Sequence, residues 1–216
     1  MKEVELAKEH WSTKHGSDEF LKWKTDRFNR FKHRFEKDPP KTMLDIGCGF
    51  AYEAEFFQKE FGTKLWLLDA DIDECDRSKK LVTQNRVTSM AGVHNNAKSF
   101  AFYHTIETLK KSFDERGLDY TFVDANNIEL PEDLKFDLIY SSKSCGYHYP
   151  VNTYKDLILK HSHEDTKVLL DCKRRMIAKA ATRKPPLFVD VDPACLDEKL
   201  SYYKDKKSCL LDIKFL

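Results

Sequence analysis

No apolar run in this chain approaches the roughly 18 residues that a membrane helix needs. The start, MKEVELAKEHWSTKHG, also lacks the apolar stretch of a secretory signal, which predicts a protein kept in the reducing, cytoplasmic interior. Neither sign of charge is in excess: 37 Lys+Arg against 36 Asp+Glu leave a formal net charge of +1. Wholesale attraction to nucleic acid or membrane is therefore not expected, and any such binding would rest on a local patch. The six cysteines, Cys48, Cys75, Cys145, Cys172, Cys195 and Cys209, form no C-x-x-C pair and have no His at zinc-ligand spacing. Disulfides and structural zinc are not expected. There is no internal repeat and no low-complexity segment.

What is present suffices for one folded α/β domain. A chain of 216 residues with 41% hydrophobic and 12% aromatic content can bury a core, despite being 34% charged. In the N-terminal part Phe20, Trp23, Phe28, Phe31 and Phe35 recur mostly every three or four residues, ending at Asp38-Pro39-Pro40. This spacing predicts an amphipathic helix closed by proline. From Lys41 onwards short apolar runs alternate with helical stretches. Strands are predicted over Lys41 to Ile46, Lys64 to Asp69, Asp119 to Asp124, Phe136 to Ser141 and Lys167 to Asp171. Helices are predicted over Ala51 to Phe61 and along Phe100, Ile106, Leu109 and Phe113 to a stop at Gly117. Two further strands are expected in LFVDV and in SYYKDKKSCLLDIKFL. Such alternation is the signature of a parallel sheet with crossover helices. The polar stretch from Ala70 to about Ala97 is too long for an ordinary connection and reads as an insertion.

The sharpest local pattern is Met43-Leu44-Asp45-Ile46-Gly47-Cys48-Gly49-Phe50-Ala51, a strand that stops at a glycine turn and enters a helix. Glycines let the backbone approach a ligand, and the following helix offers unpaired amides. The third glycine position of the dinucleotide pattern G-x-G-x-x-G holds Tyr52, which would hinder a pyrophosphate. The turn suits a nucleoside without a diphosphate. Asp45, two positions before Gly47, is placed to accept from an amine or from loop amides. Cys48 is read as a small packing residue and Cys145 as a bystander thiol.

The acidic residue followed by glycines, spelled DIGCG, resembles the first motif of the class I S-adenosylmethionine-dependent methyltransferases, with Ala51 where that motif has its third glycine. The resemblance implies a three-layer α/β fold with a seven-stranded, mostly parallel sheet in the order 3-2-1-4-5-7-6, its last strand antiparallel. It also implies S-adenosyl-L-methionine as cofactor. Asp45, Gly47, Cys48, Gly49 and Phe50 would line the cofactor. Asp69, with Ala70 and its competitor Asp71, would hold the ribose hydroxyls. Asp124, with Ala125 and Asn126, would meet the adenine, and Ser141 would open the segment beneath the methionine end. An N-terminal extension over residues 1–40 would supply Trp11 and Lys14 as a lid on a domain spanning 41–216.

In that family the segment after the fourth strand faces the substrate and carries the catalytic side chain when there is one. Here it reads Ser142-Lys143-Ser144-Cys145-Gly146-Tyr147-His148-Tyr149-Pro150, not the N-P-P-Y of base N-methyltransferases. His148 is the proton acceptor it offers near neutral pH, against the plainer reading of a packed, hydrogen-bonded histidine. Tyr147 and Tyr149 would line a substrate or face the sulfonium. No metal is expected. These residues point to methyl transfer onto a hydroxyl or similar acceptor of a small molecule, such as a sugar. An RNA- or tRNA-directed enzyme is the alternative, if the bases Lys173, Arg174, Arg175, Lys179, Arg183 and Lys184, or Lys22, Lys24, Arg27, Arg30, Lys32 and Arg34, flank the pocket. The preferred reading of both rows is a solvated charged face. A cofactor-binding scaffold without catalysis is a third possibility.

Overall fold

The computed structural model describes residues 15–70, 104–146, 153–173 and 208–212. Helix α1 (Asp18–Phe31) begins at Ser17, whose side chain accepts from the Phe20 amide, and runs into a 3-10 turn over Lys32–Arg34. The predicted continuation towards Pro39 is therefore shorter than the spacing suggested. Strand β1 (Thr42–Ile46), helix α2 (Tyr52–Phe61) and strand β2 (Lys64–Asp69) follow. Helix α3 (Ile106–Glu115) starts at Thr105, which caps the Thr108 amide, and leads to β3 (Tyr120–Asp124). The chain continues through β4 (Phe136–Ser141), the short helix α4 (Lys155–Lys160), β5 (Ser162–Lys173) and β6 (Ser208–Asp212).

The sheet order is β3-β2-β1-β4-β5-β6. The first five strands are parallel to their neighbours, and β6 joins β5 antiparallel. Five parallel strands thus take the order 3-2-1-4-5 implied by the motif. The LFVDV stretch expected to form a further strand lies outside the described residues.

Alternation along the strands sends side chains to two cores. On one face Met43, Leu65, Leu67, Leu138, Tyr140 and Leu169 meet Phe28, Phe31, Phe35 and Phe57 of the first two helices, and Leu109 and Phe113 of α3. On the other, Leu44, Ile46, Leu68, Ile139, Val168 and Leu170 pack with Tyr154 and Ile158. The last two belong to α4 and the residue before it, a helix too short to show a period in the sequence. The Phe28, Phe35 and Phe57 rings stack edge to face at 5.1 and 5.0 Å, so α1 is part of the core. Each such fully buried ring contributes about 2–3 kcal/mol. Among the described residues no helix is long and apolar enough to cross a membrane.

Candidate functional site

The carboxyl ends of β1, β2 and β3 carry Asp45, Asp69 and Asp124 side by side, and register pairs Asp69 with Asp124. Between β1 and α2 the chain turns through Gly47, Cys48, Gly49 and Phe50. Gly47 has φ +69°, and a Cβ there would lie 2.0 Å from the Ser144 Oγ and 2.4 Å from its Cβ. Only glycine allows the loop after β4 to close on this turn. Ala51 occupies the left-handed region, with φ 52°. The chain thus keeps the backbone of a third glycine without the residue.

Asp69 braces the turn. Its Oδ2 accepts from the Gly49 amide at 2.8 Å and its Oδ1 from the Ala70 amide at 2.8 Å, and the Cys48 thiol lies 3.9 Å from Oδ2. Burial raises the Asp69 pKa to about 6, against the opposing pull of the Gly49 and Ala70 amides. A carboxylate has about four acceptor positions, so two remain beyond the two amides, one of them turned to the Cys48 thiol. The reading of Asp69 as a solvated acid at a strand end fails on its burial. At the third tip the Asp124 Oδ1 accepts from the Asn126 amide at 2.8 Å, while the Ala125 amide donates to the Asp69 carbonyl at 2.8 Å. The Ala125 amide that the resemblance would aim at the base is thus engaged within the protein, as is the Asn126 amide. Asp45 differs from the other two: it is 3% exposed and its Oδ1 has no hydrogen-bond partner.

Behind the turn lies a buried network of side chains. Lys24 pairs with Glu53 and donates to the Ser142 Oγ at 2.7 Å. Arg27 donates to the same Oγ at 2.7 Å and lies 3.2 Å from Asp171 and 3.6 Å from Glu53. The Tyr140 hydroxyl donates to Glu53 at 3.0 Å. Half-buried Trp23 faces the ammonium groups of Lys143 at 4.6 Å and Lys24 at 5.2 Å and the Arg27 guanidinium at 5.7 Å. The expectation of a solvated basic face is corrected here: Lys24 and Arg27 point inward, 8% and 1% exposed. The carboxylates of Glu53 and Asp171 supply the compensation that buried cations require. Desolvation nevertheless lowers the Lys24 pKa, against the attraction of Glu53.

The segment after β4 is tied down by its serines. Ser141 donates to the Ile46 carbonyl at 2.7 Å and accepts from the Cys145 amide at 2.8 Å. Cys145 is buried and its thiol is pushed up to about 12 by desolvation, as suits a packing residue. Beside Phe50, the ring of buried His104 stacks at 4.5 Å, and its Nε2 shares a hydrogen bond with the His15 Nδ1 at 3.0 Å. Trp11, Lys14, Asp71, Tyr147, His148 and Tyr149 lie outside the described residues, as does most of the 70–97 insertion.

No family model and no curated protein matches the chain. Solved structures do. A methyltransferase from Pyrococcus furiosus superposes with a TM-score of 0.53, covering 89% of this chain and 83% of that chain at 13% identity. The PH0226 protein from Pyrococcus horikoshii OT3 gives the same TM-score over 93% of both chains at 10% identity. The fold is that of the class I methyltransferases.

Within this methyltransferase fold, the glycine turn and the acids at the strand tips were readable from the chain. Lys24, Arg27, Glu53, Tyr140, Ser142 and Asp171 share no motif in the sequence. One signal was available: Phe20, Lys24, Arg27, Phe28 and Phe31 share the inward phase of α1, so two charges sat on an apolar face.

Proposed function

We propose that the protein is an S-adenosyl-L-methionine-dependent methyltransferase acting on a hydroxyl or similar acceptor of a small molecule. The observation that carries this reading is the row of three acids at adjacent strand tips around a glycine turn, one of them buried with an unsatisfied oxygen. The donor set fits the cofactor: an ammonium would satisfy the Asp45 Oδ1, ribose hydroxyls the remaining acceptor positions of Asp69, and the adenine amine Asp124. The bound cofactor would supply a methyl group already activated on a sulfonium. The protein's part is then to hold the acceptor in line and to take its proton. A hydroxyl loses its proton as it gains the methyl group, and His148 is assigned to receive it. Ser142, fixed by two cations, and Tyr147 and Tyr149 are assigned to the acceptor side. Those polar groups favour a catalyst over a silent scaffold. The RNA-directed alternative loses support, since two of the six bases in the N-terminal row are engaged inside the protein.

Calorimetry with S-adenosylmethionine and S-adenosylhomocysteine tests the assignment. Both should bind, and Asp69→Ala should weaken binding about 100-fold, as expected for losing hydrogen bonds to a charged group. If neither nucleoside bound the wild type, the reading would be wrong.

A further inference from the structure

Asp45 is surrounded by charge yet paired with none of it. Lys24 and Arg27 of α1, Glu53 of α2 and Asp69 of β2 all act on it through space, while Cys48 of the turn and Tyr140 of β4 feel its charge in return. The two cations hydrogen-bond elsewhere, Lys24 to Glu53 and Ser142, Arg27 to Ser142, with Asp171 as its ion-pair partner. Counting Asp45, Glu53 and Asp171 against Lys24 and Arg27, this interior holds one acid too many. Asp69 does not relieve the surplus but adds to it.

An ionised carboxylate without a partner in such surroundings costs several kcal/mol. Taking up a proton removes that cost. Burial, reinforced by the Glu53 carboxylate, pushes the Asp45 pKa well above the usual carboxylate range.

We propose that Asp45 carries a proton while the site is free and releases it to solvent when a ligand's ammonium group docks against its Oδ1. This rests on the reading of the site as one for S-adenosylmethionine and adds to it a linkage between capture and proton release. In the exchange the carboxyl O–H bond breaks, its proton passes to water, and an N–H of the ammonium takes its place at the carboxylate. No other bond changes. A ligand with the nucleoside but no ammonium leaves the proton in place. Affinity for S-adenosylmethionine then rises about tenfold per pH unit while free Asp45 remains protonated, and levels off above its pKa.

The experiment is calorimetry at pH 7 in two buffers of low and high ionisation enthalpy. At that pH Asp69, with a pKa of about 6, is already mostly ionised and contributes little. S-adenosylmethionine should release close to one proton per site. Methylthioadenosine, which lacks the amino-acid end, should bind with a buffer-independent enthalpy. Asp45→Asn has the shape of the protonated acid, so it should melt like the wild type and bind S-adenosylmethionine more weakly without releasing a proton. Wild-type binding with no proton release overturns this inference alone, and so does release that persists in Asp45→Asn. Absence of any S-adenosylmethionine binding overturns the methyltransferase reading, and this inference with it.

Discussion

Two halves of the site are held together by different means. Around the glycine turn, side chains meet backbone: Asp69 takes two amides, Asp124 takes one, and Ser141 bridges the Ile46 carbonyl and the Cys145 amide. Behind the turn, side chains meet side chains, in a network drawn from α1, α2, β4, the residue after β4, and β5. The first kind of contact is short in sequence or fixed by strand register. The second joins groups distant in the chain, such as Arg27 and Ser142, which are 115 positions apart. A turn held by amides tolerates change in whatever lies beyond it, whereas a charge network fails when one member is lost.

Arg27→Ala should show the largest effect. Its loss leaves Glu53 and Asp171 buried without their guanidinium, at a cost of about 3–5 kcal/mol by urea unfolding. Adding Glu53→Gln to that background should restore part of it; a double variant no more stable than the single would argue against charge as the cause.

The amide-held half has its own weak point, in acid. His104 is buried against Phe50, and desolvation lowers its pKa to about 4 from an ordinary 6.5. The unfolded chain takes up this proton near pH 6.5 and the folded one only near pH 4, so stability present at neutral pH falls as acid is added between them. The contribution lost is about 3 kcal/mol. Relative to the wild type, His104→Phe should remove that loss in acid, and a stability difference between the two proteins that is the same at pH 7 and pH 4 would count against it.

Gly47→Ala comes next, at about 2–3 kcal/mol, because the new methyl meets both the Oγ and the Cβ of Ser144 in a left-handed backbone. Ser144→Gly in the same chain should recover the steric part and leave about 1 kcal/mol for the backbone. If the second change restored nothing, the close approach of these loops would not be the reason for glycine.

The smallest change is expected at Ala51→Gly. Relief of a left-handed alanine is worth about 1–2 kcal/mol, and the loss of a buried methyl with added chain freedom takes back a similar amount. The thermal midpoint should stay within about 2 °C; a larger shift in either direction would show that one of these effects dominates.

The same division explains what could be read in the sequence. Asp45, Gly47, Gly49 and Asp69 occupy fixed places along consecutive elements, so residue type and spacing betray them. Strand limits for Lys64–Asp69 and Phe136–Ser141 agree with expectation because both strands are covered on two faces and read as unbroken apolar runs. On edge strand β3 only Val123 is buried, although the run DYTFVD looked alike. Lys24 and Arg27 were hidden for another reason: basic residues on a helix usually face water, and nothing local to α1 announces Glu53, Ser142 or Asp171. Helix α4 has six residues, too few to display a helical period.

The lock between α1 and Ser142 also has an order in time. On a ribosome adding about 5–20 residues per second, Arg27 emerges some ten seconds before its partners on β4 and β5 exist. Until then its guanidinium and the Lys24 ammonium are best left in water, and α1 has no reason to settle. Its aromatic face can rest on α2 early, but the final seat waits for the far strands. The helix made first is therefore among the last pieces to be fastened, and protease protection of α1 in stalled chains should appear only once residue 171 has left the exit tunnel.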